Sequence, residues 1–382
     1  MDAVSPSDGL GTRFFPVRWN SRRRGGIRLT ERILVRRDDA DVPTDPTTPW
    51  GNLQLNSGPA ERLAARLLFI PYKMKKELRY CRAFRNWFEV LTRKYFRQAR
   101  VVAVTTRSGE IVPIDSAMAL YTYSLFYSMK PDDPHRPLSL KFQGDALTVE
   151  SRATGRAIMF RGVNDNGDPE IFFDPILESI DVMGLDVVDI GANIGETAIF
   201  FASRGAAHVY AYEPFPASHD TAVGNVALNG MEGKITLARA AVAGRVGKVN
   251  LSAAERGLTL QLHASPSGVA TPITTLDEIV KSHQIHDAVV KIDCEGCEYS
   301  VIEQATPATL AEFRSIILEF HYGYRRLKSR LEECGFSVRV FPERHLLWRP
   351  REKMYTGYVI ATRGDIDPTA EFETATGPRH AR

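Results

Sequence analysis

From about residue 185 the apolar positions gather into short runs: "DVVDIG", "HVYAYEP", "KITLARAAV", "DAVVKIDC", "RSIILEFH", "SVRVF" and "YTGYVIATR". Apolar runs without strict alternation are what strands buried on both faces require. Helical text separates the early ones, as "PASHDTAVGNVAL" does after the second. Alternation of strand and helix predicts an α/β fold with a mainly parallel sheet covered on both faces. The last two runs follow each other with no helix between them, which predicts an antiparallel hairpin at one edge.

Upstream the pattern is different. Residues 101–180, with "RVVAVTTRSGEIVPI", "ALTVESRATGRAIMFRGV" and the turn "NDNGD", read as a small β-rich lead-in of short strands and turns. Residues 59–100 read as helical and basic, with a break at Pro71. Tyr80, Phe84, Trp87, Phe88, Leu91 and Tyr95 recur near the spacing of one helix face. An amphipathic helix packing that stripe onto the following domain explains the spacing. Residues 1–58 and 366–382 have no sustained periodicity and read as poorly ordered, which leaves 181–365 as the α/β domain.

Charge and cysteine content change this picture only locally. A net charge of +3 over 382 residues gives no reason to expect nucleic-acid binding. Residues 61–100, however, hold twelve Lys and Arg against three Glu. That excess admits a second use for the helical region, peripheral docking on anionic lipid or on a phosphorylated substrate carrier. No apolar run reaches the ~18 residues of a spanning helix, and no basic region precedes an apolar one at the start. Cys81, Cys294, Cys297 and Cys334 are too scattered for a disulfide framework, so a reduced, cytoplasmic protein is the default expectation.

The first apolar run leads into Asp189-Ile190-Gly191-Ala192-Asn193-Ile194-Gly195, directly before the helical "ETAIFFASRG". A ligand is expected on this turn, because open sheets bind at the carboxyl ends of strands where strand order reverses. Glu213, about 20 residues further on at the end of the second run, is positioned to accept from two ribose hydroxyls. Such charge-assisted bonds are worth roughly 1.5–3 kcal/mol each. Dinucleotides and S-adenosylmethionine both use such an acid, so the turn itself has to decide between them. A dinucleotide needs glycine at the third and sixth positions of the fingerprint, where Asn193 and Glu196 stand. A glutamate in the first helical turn repels phosphate. It suits a sulfonium and an ammonium, which favours S-adenosylmethionine over a nicotinamide cofactor.

The strings "VVDIGANIGETAIFFASRGAAHVYAYEP", "GNVALNG", "VVKIDCEGCEYSVIEQA" and "IILEFH" resemble the FkbM-type methyltransferase family over roughly residues 155–345. The resemblance implies a seven-stranded Rossmann-like methyltransferase sheet and O-methylation of sugar or polyketide hydroxyls. It assigns Asp189, Gly191, Asn193 and Gly195 to the methionine side of the cofactor and Glu213 to its ribose. Glu196, Thr197 and Pro214, beside these, complete the candidate cofactor site. Ala241 and Val242, at the end of the third run, offer backbone groups near the adenine edge. Asn225 and Asn229 carry a local structural role, with a helix end at Asn229-Gly230. Cys294 departs from the family, which usually has an aliphatic residue there.

The fourth run ends in Lys291, Asp293, Glu295 and Glu298, and strand alternation puts the first three on one face. Charges at the end of a buried parallel strand are costly unless they serve a site. Methyl transfer needs an aligned nucleophilic oxygen and a base for its proton. Asp293 is the first candidate base. His321 is the second, on the strength of an ordinary near-neutral pKa, with Glu319 to orient it or to bind substrate hydroxyls and Glu295 beside them. Glu298 reads as an acid opposing a helix dipole. Asp293, Glu295, Glu319 and His321 have the chemistry of hard-cation ligands, but nothing in their spacing demands a metal and none is expected. Cys294, opposite the Asp293 face, reads as a small buried filler. The expected acceptor is a small molecule or a glycan- or lipid-linked hydroxyl. A non-catalytic protein that binds the cofactor and a nicotinamide-dependent oxidoreductase are the rival readings.

Overall fold

The computed structural model describes residues 77–364 apart from 98–101, 115, 130–137, 152–154, 168–170, 172–174, 253–267 and 343–356. The expectations for residues 1–58, 59–76 and 366–382 lie outside the described residues.

All seven apolar runs form strands of one sheet. In chain order with their neighbours they are β6 (Asp186–Ile190), β7 (His208–Tyr212), β8 (Ile235–Ala238), β12 (Ala288–Ile292), β13 (Phe313–Phe320), β14 (Ser337–Pro342) and β15 (Gly357–Thr362). The sheet order is β14-β15-β13-β12-β6-β7-β8. The β12, β13, β6, β7 and β8 pairings are parallel, while β15 runs antiparallel between β13 and β14. The expected hairpin is therefore at the edge, with its second strand inserted inward.

Each central strand is apolar on both sides because helices cover both. Val187, Val209, Ala211, Val289 and Ile317 share a core with Ala198, Ile199 and Phe201 of the helix Glu196–Ser203. Val188, Ile190, Val290, Ile292, Ile316 and Leu318 face the other way, toward Val301 and Ile302 of Glu298–Gln304 and Leu327 and Leu331 of Arg325–Glu333. Between β8 and β12 the chain adds a small sheet of β9 (Ala241–Val242), β10 (Gly247–Leu251) and β11 (Val269–Thr274), ordered β10-β11-β9.

Among the described residues the lead-in holds five strands: β1 (Val102–Thr105), β2 (Ile111–Ile114), β3 (Leu138–Gln143), β4 (Ala146–Ser151) and β5 (Ala157–Phe160). It also contains a helix, Ala117–Met129, that a reading of strands and turns omits. "AMALYTYSLFYSM" is apolar nearly all round, so no single stripe marks its period. The basic region does not run on as one helix. Residues 77–83 are helical, Phe84 bridges to Thr106, and helix resumes at Trp87–Thr92. Tyr80 and Phe84 are buried and Trp87 and Leu91 partly so, while Phe88 and Tyr95 are exposed.

Two asparagines clasp the lead-in to the sheet domain. Asn225 lies on the helix Pro216–Leu228 and Asn229 caps its end one turn later, opposite Met159 of β5 and Arg161 just beyond that strand. Asn225 Oδ1 accepts from the Arg161 N–H (2.8 Å), and its Nδ2 donates to the Arg161 and Ile194 carbonyls (3.1 and 2.9 Å). Asn229 pairs with both backbone groups of Met159 in the same way and also caps its helix, with Gly230 following in the left-handed conformation. Asn225→Ala strands three backbone groups beside a 1 % exposed side chain. We expect it to cost on the order of 2–4 kcal/mol, read as a fall in the unfolding midpoint. Val223→Ala, on the exposed side of the same helix, should shift stability by about 0.5 kcal/mol or less. Equal shifts for the two would remove the clasp.

Candidate active site

Strand order reverses at β6, which lies between β7 and β12, and the glycine turn lies at its carboxyl end. Gly191, Asn193 and Gly195 all take positive φ (81°, 50° and 90°). The Gly191 and Ala192 N–H groups both donate to the Tyr212 carbonyl at 3.0 Å, which ties the turn to the end of β7. A Cβ on Gly191 would come within 1.8 Å of the Asp293 carbonyl oxygen. The turn thus passes directly against the loop after β12, whose Asp293 N–H bonds the Ile190 carbonyl.

Acidic groups ring this turn. Glu213 is buried, with Oε2 accepting from Asn193 N–H and Oε1 from Phe215 N–H, both at 2.9 Å. Burial pushes its carboxyl up to about 7 against the pull of those two N–H groups. Asn193 Nδ2 donates to Glu196 Oε1 (3.1 Å), and Thr197 Oγ1 donates to Asp189 Oδ2 (2.6 Å). Asp189 is fully buried. Lys291, its register partner on β12, reaches Asp189 Oδ1 at 3.2 Å and donates to the Gly191 carbonyl at 3.0 Å. The ammonium is close enough to Oδ1 for charge pairing but not aligned for a hydrogen bond, so that buried oxygen has no hydrogen-bond partner. Burial disfavours the Lys291 charge, and Asp189 and Asp293 outweigh it, so the pKa rises. Pro214 is half-buried next to Glu213. Ala241 and Val242 form β9, paired in parallel with Ile273 and Thr274 of β11, so part of their backbone is already used.

Asp189 and Glu196, with Glu213 ionised only above about pH 7, outweigh the ammonium of Lys291 and leave this turn negative. Such a donor set fits a ligand carrying a sulfonium and an ammonium and opposes a pyrophosphate.

Beyond β12 the sequence expectations need correction. The strand ends at Ile292, and Glu295 (φ 56°) and Gly296 (φ 123°) are in a turn. Alternation therefore does not extend to Glu295. Cys294 is a half-buried partner in a disulfide with Cys297, which closes the loop around Glu295 and Gly296, not a buried apolar filler. Both thiols expected to be reduced are joined, while Cys81 and Cys334 are free. Glu298 does more than face a helix dipole. Completely buried, it accepts from Gly296 N–H (2.8 Å), His321 N–H (3.2 Å) and His321 Nδ1 (3.1 Å). On the other side of the imidazole, Nε2 lies 3.3 Å from Glu295 Oε2. Burial would lower the His321 pKa, but Glu298 and Glu295 more than offset it and hold the ring protonated well above its ordinary value. The near-neutral titration expected of His321 is lost for that reason. Asp293, Glu319 and His321 come together, with one ligating atom from each within 4.8 Å of the others.

Sequence reasoning missed Lys291 as the partner of Asp189 and Glu298 as the group that orients His321. The only sequence signal for either was charge at the end of an apolar run.

Comparison with known proteins agrees with this geometry. Residues 189–338 match the family model described as the methyltransferase FkbM domain. Over those residues the chain is similar to an FkbM methyltransferase domain. S-adenosylmethionine is its cofactor. The matched span is narrower than the stretch over which the sequence resembles the family, and begins at Asp189 itself. Among solved structures, this methyltransferase is similar to a precorrin-6y C5,15-methyltransferase from Geobacter metallireducens (15 % identity, 50 % of this chain and 87 % of that one, TM-score 0.30). It is also similar to M. capricolum TrmK in complex with S-adenosylhomocysteine (11 %, 50 % and 66 %, 0.34). A third is a magnesium protoporphyrin IX methyltransferase from Synechocystis with bound S-adenosylmethionine (16 %, 50 % and 74 %, 0.29). No curated protein matches the chain. Among the described residues, no helix is long and apolar enough to cross a membrane.

Proposed function

We propose that this methyltransferase acts on oxygen, moving a methyl group to a hydroxyl of a glycan, glycolipid or polyketide-type acceptor. The observation that carries the reading is the convergence of Asp293, Glu319 and His321 beside the glycine turn. A polyhydroxylated acceptor is recognised by carboxylates that accept from its hydroxyls, and one of them must take a proton as the C–O bond forms.

S-adenosylmethionine, when bound, supplies a methyl group already activated on a cationic sulfur. Asp189, Gly191, Asn193, Gly195, Glu196 and Thr197 hold its methionine end, Glu213 and Pro214 its ribose, and Ala241 and Val242 lie toward its adenine. Asp293 is the base. It is partly exposed, and its Oδ2 lies 3.8 Å from the Lys291 ammonium. His321, held as an imidazolium, positions Glu295 and stabilises negative charge instead of taking the proton. Glu319 binds acceptor hydroxyls. The excess positive charge of residues 61–100 favours an acceptor on an anionic or membrane-associated carrier.

Titration calorimetry with S-adenosylhomocysteine tests the cofactor assignment. Glu213→Ala should weaken binding by roughly two orders of magnitude, the value of its lost charge-assisted bonds. Unchanged affinity would remove Glu213 from the site. Asp293→Asn should retain that affinity and lose transfer of labelled methyl to a hydroxylated acceptor. Full turnover in that variant would end the base assignment.

A further inference from the structure

We propose that Asp293, Glu319 and His321 bind a hard divalent cation of the Mg²⁺ or Mn²⁺ class. Two carboxylates and one imidazole form the donor set, and their ligating atoms already lie within 4.8 Å of one another. Ligands opposite each other across such an ion at about 2.1 Å are about 4.2 Å apart. Adjacent ligands at that distance are about 3.0 Å apart, so the three side chains have to close by up to about 2 Å on a cation. The mixed oxygen and nitrogen set suits Mn²⁺ and Mg²⁺ better than a soft ion.

A separate feature points the same way. His321 is 3 % exposed, and its Nδ1 is held by Glu298, itself fully buried and fixed by two backbone N–H groups. A histidine whose inner nitrogen is locked by a buried carboxylate, with the outer one presented to a cluster of acids, has the arrangement that orients metal-ligating histidines. Glu298 is a positioning residue in this scheme. Binding of the ion displaces the proton from Nε2, and Glu295, which now faces that nitrogen, gives way to it. Coordination by one oxygen of Asp293 leaves its second oxygen for the acceptor proton. That use of the ion, to polarise the acceptor hydroxyl, rests on the O-methyltransferase reading. The binding itself does not.

The full chain, dialysed against a chelator, is titrated with Mn²⁺ and the free ion followed by electron paramagnetic resonance. One Mn²⁺ per chain is expected. Glu319→Gln and His321→Ala should each weaken it at least tenfold, and Glu298→Gln by roughly 10- to 100-fold although it touches no ion. S-adenosylhomocysteine binding by the same samples reports that each variant is folded. A chain that binds S-adenosylhomocysteine but takes up no Mn²⁺ overturns the proposal, as does Glu319→Gln with unaltered Mn²⁺ affinity. Mn²⁺ uptake without methyl transfer to any hydroxyl would leave the metal site standing and remove the functional reading above it.

Discussion

Gly191→Ala is expected to abolish cofactor binding and to destabilise the domain by about 2–5 kcal/mol. Two penalties combine. An alanine at φ 81° enters the left-handed region, at roughly 1–2 kcal/mol. Its methyl also collides with backbone, at 1.8 Å from the Asp293 carbonyl oxygen and 2.8 Å from the carbonyl carbon. Neither side can retreat. Gly191 is bonded to the Tyr212 carbonyl and Asp293 to the Ile190 carbonyl. Overpacking of this kind adds about 1–3 kcal/mol and moves both loops that carry the acidic groups. Gly195→Ala is the internal control, since it has a similar φ of 90° but its nearest neighbour is Ala222 Cβ at 3.4 Å. It should pay only the conformational penalty. Thermal unfolding of the two variants checks the ranking, and calorimetry with S-adenosylhomocysteine checks the loss. Equal destabilisation would show that close approach to Asp293 does not matter.

This pair of glycines also marks what the sequence could disclose. The turn was legible because positive φ and close approach select a residue type locally, and the seven strands because burial on both faces leaves an unbroken apolar run. Glu213 was legible because it ends the second such run. What stayed hidden depends on partners brought together by the fold. Lys291 and Asp189 meet through the parallel register of β12 and β6, 102 positions apart in the chain. Glu298 and His321 are joined across the start of one helix and the end of β13. The turn after Asp293 broke the strand alternation assumed up to Glu295 because Glu295 takes a positive φ, and Cys294, read as a buried filler, is joined to Cys297 across it. The helix Ala117–Met129 escaped for the opposite reason: apolar on nearly every side, it has no period to detect.

Lys291→Met should cost about 3–5 kcal/mol, because it leaves the Asp189 carboxylate buried without its counter-charge. The ammonium is 6 % exposed and the carboxylate 0 %. Methionine fills much the same volume, so packing contributes little to the loss. The charge explanation makes a specific demand on the double variant. Asp189→Asn retains an oxygen to accept from Thr197 Oγ1 and removes the stranded charge, so Lys291→Met with Asp189→Asn should recover a large part of the single variant's loss. Lys291 also donates to the Gly191 carbonyl and lies 3.8 Å from Asp293, and neither contact returns in the double variant. Stability and function should therefore separate. Urea unfolding is expected to show the recovery, while methyl transfer stays low because Asp293 has lost its neighbouring cation and the Gly191 carbonyl its donor. Losses that simply add in the double variant would mean that Lys291 stabilises the domain through its aliphatic stem and the Gly191 bond. The negative turn would then be held by something other than this ion pair.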